Sequence, residues 1–154
     1  MPEVGTQAEL AAPAEAVWRL LADFGAIEAW WPTDIPSPIE SVRLEGHEVG
    51  MIRHIFNRGS TQPVSERLEL LDPASRVLVL SIIGDRPIGI TAYVAEGRVV
   101  EIDADRCRID YRAVFTTEPG REEAVRKRLL KTWGLMFRGL EARAASDARV
   151  VNRR

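Results

Sequence analysis

Glu66 is the residue of this chain that most demands a chemical explanation. It lies in the run Val64-Ser65-Glu66-Arg67-Leu68-Glu69-Leu70, and a strand sends residues of one parity to one side. Val64, Glu66, Leu68 and Leu70 then share a face, while Ser65, Arg67 and Glu69 form the wetted one. An ionised glutamate among apolar neighbours is expensive, and it must gain a cationic or hydrogen-bonded partner or take up a proton. Arg53, on the preceding strand with the parity of Met51 and Ile55, could supply a guanidinium able to hold a carboxylate bidentately. A water-filled cavity would serve equally well. If instead Ile52, His54 and Phe56 faced inward, Arg53 would leave the site.

On residues 106–116 the alternation places Ile109, Tyr111, Ala113 and Phe115 inside and Arg108, Asp110 and Arg112 outside. Glu66, Arg53, Tyr93 and Tyr111 can therefore be read as the polar groups of an otherwise apolar ligand pocket. Ile55, Leu68, Leu80 and Leu129 would be its walls, closed by Trp30 or Trp31 and by Trp133 and Met136. Two chemistries fit. In a carrier, Glu66 and Arg53 orient the polar end of the ligand. In an enzyme of the cyclase or dehydratase type, Glu66 and Arg53 are the catalytic candidates: Glu66 removes a proton next to a ketone, and Arg53 or a tyrosine hydroxyl supports the enolate and helps expel water. A plainer reading makes Arg53 and Glu66 a buried ion pair that fixes strand register, with the aromatics as ordinary core.

Other constellations are weaker. No nucleophile elbow singles out a serine, and Gly84 and Gly89 flank a loop without a phosphate-cradling pattern. Cys107, between Arg106 and Arg108, reads as a small apolar filler at a strand start. As the single cysteine it excludes intramolecular disulfides and a thiolate zinc cluster. His47 and His54 suit a hairpin-like turn, so neither a metal nor another cofactor is expected.

The elements that must position these groups follow from periodicity. Glu3 to Leu10 could be a first strand. Val17, Leu20, Leu21 and Phe24 recur at helical spacing after Pro13 and before Gly25, and a second short helix over 26–31 ends at Pro32. Three prolines within 32–38 forbid regular structure. Short β-rich runs follow near 39–46, 49–57, 63–71, 76–83, 88–102 and 106–116, joined by tight turns that favour an antiparallel meander. After Pro119-Gly120 comes a helix of roughly 25 residues, about 38 Å. Val125, Leu129, Trp133, Met136 and Leu140 form its apolar stripe, with Leu130 and Phe137 beside it. Gly134 inside it suggests a close approach to the sheet or space for something bound. Residues 146–154 read as a flexible tail, which leaves 1–145 as a single domain.

The 154 residues, 45% hydrophobic and 29% charged, have the balance of one globular domain. With 21 basic and 23 acidic side chains the net charge is −2, too little field to expect nucleic acid as a partner. The longest apolar stretch, Val77 to Ile83, is far short of a membrane span, so no membrane insertion is expected. The first 20 residues carry Glu3, Glu9 and Glu15 and no positive leader, and the expected location is the cytoplasm. Ile52 and Phe56 on the outward parity would suit a homodimer contact. A large apolar patch on the outer sheet face would instead mark a protein-interaction module.

The segments APAEAVWRLLADFGAIEAWWP, VSERLELLDPASRVLVLSIIGDRP, AYVAEGRVVEI and CRIDYRAVF, in this order, resemble the START-like helix-grip (SRPBCC) superfamily over about residues 5–142, in particular its polyketide cyclase/dehydrase and lipid-transport branch. The segment around VSERLELLD also looks like strands of plant abscisic-acid receptors. The resemblance implies an α+β fold, a seven-stranded antiparallel sheet wrapped around a long C-terminal helix, with two short helices after strand 1. It implies a cavity between sheet and helix for a small hydrophobic or amphipathic molecule (polyketide, isoprenoid, aromatic or lipid-like), with Glu66 and Tyr93 pointing into it. Tyr111 matches an often aromatic position. Loops 57–62 and 84–89 fall where related receptors carry gates, whose sequences are not reproduced here.

Overall fold

The computed structural model describes residues 1–152. Alternating burial defines a first strand, β1 (Glu3–Leu10), with Val4 and Leu10 inside. Pro13, extended at φ −61°, then introduces α1 (Ala14–Ala22), whose buried residues Ala14, Val17, Trp18 and Leu21 recur at helical spacing. A single turn, α2 (Ile27–Trp30), ends where Trp31 turns extended ahead of Pro32. Six strands follow: β2 (Ile39–Glu45), β3 (Ile52–Asn57), β4 (Val64–Asp72), β5 (Val77–Ile83), β6 (Ile90–Asp103) and β7 (Arg106–Thr117). The last element is α3 (Glu122–Asn152).

The strands form one antiparallel sheet in the order β1-β7-β6-β5-β4-β3-β2. Consecutive strands pair as hairpins, and β1 closes the far edge against β7 in the register Val4↔Ala113 to Leu10↔Cys107. Five inward residues of β7, Cys107, Ile109, Tyr111, Ala113 and Phe115, are all buried. Against this face lies the α3 stripe of Val125, Leu129, Trp133, Met136, Phe137, Leu140 and Ala144. Sheet and helix thus bury one shared core, with α1 and α2 closing it from the side.

Several details depart from sequence expectation. Leu70 is 44% exposed, because a register shift between Leu68 and Leu70 inserts Glu69 as an extra residue. Such a bulge reverses parity, and Leu71 packs on the core instead. β3 begins at Ile52, since residues 46–51 form a turn with Gly46, Glu48 and Gly50 at positive φ. His54 accordingly lies within a strand and only His47 in a turn. β6 starts at Ile90 after a 3-10 turn, Pro87–Gly89. The 31-residue α3 runs through Asn152, so the segment from 146 to 152 is helix rather than tail, while 153 and 154 lie outside the described residues. No helix among the described residues is long and apolar enough to cross a membrane.

Gly134 does not make the close approach that its position suggested. It is exposed, and a Cβ added there meets nothing within 4 Å. The glycine that matters is Gly139, where a Cβ would overlap the Trp30 carbonyl oxygen and press on Pro32 at 3.0 Å. Here α3 and the end of α2 touch backbone to backbone. One substitution should therefore have opposite signs at two sites of one helix. Gly134→Ala gains about 1 kcal/mol from helix propensity, whereas Gly139→Ala loses about 1–3 kcal/mol by forcing α2 away. Urea denaturation midpoints moving in the same direction would contradict this packing.

Candidate functional site

β3 and β4 pair with Arg53 directly opposite Glu66, which puts both side chains on the inner face. Arg53 is 6% exposed, and Ile55 is buried beside it while Ile52, His54 and Phe56 are half-buried on the other parity. The Arg53 Nε donates to Glu66 Oε1 at 3.1 Å. The contact is a single bond rather than the bidentate fork, because Nη1 is turned to the Phe24 carbonyl at 2.9 Å. The guanidinium also lies 4.1 Å from the Phe24 ring centroid, a cation–π contact. Phe24, between α1 and α2, thereby anchors the arginine from two directions.

Tyr93 on β6 and Tyr111 on β7 complete the cluster. Tyr111 stands opposite Gly97, and a Cβ on Gly97 would come within 2.9 Å of its ring. The missing side chain leaves the phenol room against β6. The ring then packs 4.9 Å from Trp133 and 6.3 Å from Phe137, centroid to centroid. The Trp133 indole N–H, which can only donate, lies close enough to the Tyr93 phenol to favour its ionised form. Burial pushes the Tyr93 hydroxyl well above its ordinary range, helped by Tyr111 and the negative Glu66 and opposed by Trp133 and Arg53. Tyr111 is raised by burial first and by Glu66 second, against Arg53. Both phenols are thus neutral hydrogen-bond donors within electrostatic reach of the ion pair.

The remaining candidates divide. Leu68, Leu80, Leu129 and Met136 are buried in the same core cluster. Trp30 and Trp31 are buried too, rings 6.4 Å apart, but no described contact joins them to Arg53 or Glu66. Their indole N–H groups have no hydrogen-bond partner among the described residues. Between sheet and helix, Tyr93, Tyr111, Trp133 and Phe137 are all buried, with the Tyr111 ring packed on both Trp133 and Phe137. A depression of about 340 Å³ lies elsewhere, on the outer sheet face, lined by residues that include Gly5, Gln7, Glu96, Asp110 and Arg112. Cys107 is fully buried, and burial pushes its thiol up to about 11, so it packs as a protonated filler. The 84–89 loop is tied to the start of α3, with Arg121 donating to the Ile88 carbonyl and the Glu118 N–H to that of Gly89.

Phe24 and Gly97 escaped the sequence reading. A backbone carbonyl leaves no side-chain signature, although a glycine inside an otherwise regular strand does signal close approach. The two tyrosines, the only ones in the chain, give a clean test of the cluster. Their folded values exceed the ordinary 10.0, so the unfolded chain releases these protons first. The stability they contribute is complete below about pH 10 and falls as pH rises above it. Tyrosinate absorbance should therefore appear only together with cooperative unfolding. Phenolate forming near pH 10 with the near-UV dichroism intact would show the cluster to be open to solvent.

The similarities of the chain agree with this architecture. A family described as polyketide cyclase / dehydrase and lipid transport matches residues 1–145. No curated protein matches the sequence. Among solved structures, a protein from Thermobifida fusca shares 31% identity over 84% of this chain and 83% of its own, at a TM-score of 0.70. Norcoclaurine synthase from Thalictrum flavum, a point mutant in complex with a transition-state analogue, superposes at 0.77 with 19% identity over 96% of both chains. The di-domain ARO/CYC BexL of the BE-7585A biosynthetic pathway superposes at 0.75 with 18% identity, over 93% of this chain and 46% of its own. These last two show the fold alone. With the family match spanning both the sheet and the gripping helix, this chain belongs to the polyketide cyclase/dehydrase and lipid-transport family.

Proposed function

We propose that the protein binds a small hydrophobic or amphipathic molecule between sheet and C-terminal helix, its polar end met by Arg53 and Glu66. The observation that carries this reading is a buried ion pair bonded through one carboxylate oxygen only, beside two neutral phenols in an apolar surround. A plain register lock needs no such donors. Few polar groups on apolar walls is how small-molecule sites are built. The ligand lies against Trp133 and Met136, both buried on the sheet-facing stripe of α3.

A second reading draws on the same four groups. A ketone lodged against Tyr93 or Tyr111 would receive a hydrogen bond at its oxygen, and Glu66 would remove the neighbouring proton. That is acid–base chemistry of the cyclase or dehydratase kind, and BexL, named as an ARO/CYC, has the same fold. Native mass spectrometry of protein from its own cells should show a copurifying small molecule. Glu66→Gln, which keeps the volume, then separates the readings. Retained affinity with lost turnover indicates catalysis, while lost affinity with no turnover in the parent indicates a carrier. If nothing copurifies and aromatic or lipid-like probes leave tryptophan fluorescence unchanged, both readings are overturned.

A further inference from the structure

The outer face of β2, β3 and β4 carries a separate polar array. His54 stands directly opposite Ser65 in the ladder, with Nδ1 2.7 Å from Ser65 Oγ. Its Nε2 lies 3.0 Å from Glu45 Oε2 on β2. Three neighbouring strands thus deliver a carboxylate, an imidazole and a hydroxyl in sequence. Glu45 can only accept, so Nε2 carries the proton; in the neutral ring Nδ1 is then the acceptor, and the Ser65 hydroxyl donates to it. This is the hydrogen-bond order in which a serine loses its proton as it attacks.

The surroundings fit a reacting group. Ser65 is 8% exposed and the His54 side chain 13%, while Glu45 reaches solvent at 60%. The hydroxyl–imidazole bond is shielded and the carboxylate end is wet. Ile52 and Phe56 flank His54 on β3, and Ile83 stands opposite Ser65, three half-buried apolar side chains. The charged groups on this face are Glu45 and Arg43 from β2 and Arg67 and Glu69 from β4, where the Arg67 Nε donates to the Glu69 carboxylate at 2.7 Å and the Ser81 hydroxyl donates to the same carboxylate at 2.6 Å. Arg67 is two residues from Ser65 on one strand face, about 7 Å along the strand.

We propose that Ser65 is a nucleophile toward small acyl esters, with His54 as its base and Glu45 as the residue that positions the ring. The Ser65 Oγ bonds to the acyl carbon and the ester C–O bond breaks. The serine proton passes through His54 Nδ1 to the departing alcohol. Water then adds to the acyl-serine, giving its proton to His54, and the carboxylic acid leaves as Ser65 takes that proton back. The backbone amides here are spent on the ladder, so the negative charge on the ester oxygen is met by the Nη groups of Arg67, whose Nε stays with Glu69.

The full chain is incubated with p-nitrophenyl acetate and, separately, with a fluorophosphonate, and modified peptides are sequenced by mass spectrometry. Ser65 should be modified well ahead of the other serines. His54→Gln should slow this about 100-fold or more. Glu45→Gln, at an exposed position that leaves the core untouched, should slow it as well, and Glu45→Asp, which keeps the carboxylate, should restore part of the rate. Label spread evenly over the serines, or Ser65 labelling indifferent to both variants, would overturn the proposal. Neither outcome depends on the ligand bound at the inner face.

Discussion

An arginine and a glutamate removed from water on the inner face of a sheet constrain everything around them. Taking both ions out of water costs several kcal/mol each, and attraction offsets this only where geometry and further hydrogen bonds are good. Arg53 meets those terms with three partners drawn from two parts of the fold: the Glu66 carboxylate, the Phe24 carbonyl and the Phe24 ring. The pair therefore ties the β3–β4 ladder to the junction between α1 and α2. A ladder slipped by one residue would expose Arg53 and bury His54, leaving Glu66 without its cation. In a hydrocarbon core, a Met or Leu pair would hold the strands as well. Retention of charge here therefore points to chemistry rather than to stability.

The gripping helix answers a different constraint. Its apolar stripe must meet a curved sheet along most of its length while α1 and α2 close the flank. Contact is closest at Gly139, where backbone meets backbone, and Trp133 packs its ring on Tyr111 with its N–H near the Tyr93 phenol. Trp133 thus joins the helix to both phenols and, through their electrostatic coupling, to Glu66. Motion of α3 and the state of the polar cluster cannot be independent.

Much of this was legible in the sequence because period-2 alternation is a strong signal where one face is wet. The inward set of β7, and the parity that brings Arg53 to Glu66, follow from it. What was not legible has physical reasons. The β4 bulge reverses parity after Leu68 through an irregularity that no residue type announces, so Leu70 was misplaced. Gly134 and Gly139 look alike in the chain and differ only in what stands opposite. The segment 146–152, with a single alanine and only Val150 and Val151 as larger apolar residues, lacks the long apolar stripe that marks a packed helix, yet it continues α3. The role of Phe24 rests partly on its carbonyl, which every residue has.

Two consecutive rungs of one ladder carry the chemistry of both faces. Arg53↔Glu66 turns inward and His54↔Ser65 turns outward. Each dipeptide, Arg53-His54 and Ser65-Glu66, supplies one member to each face, so a single register specifies both. The inner rung is buried, where desolvation strengthens electrostatic interaction. The outer rung ends at a solvent-exposed carboxylate on β2, where exchange with water is direct. Both rungs are shielded to a similar degree, and the arrays differ in that the outer one reaches solvent through Glu45. A family defined by what lies between sheet and helix can therefore differ freely on the far face, where similarity of fold carries no information about side chains.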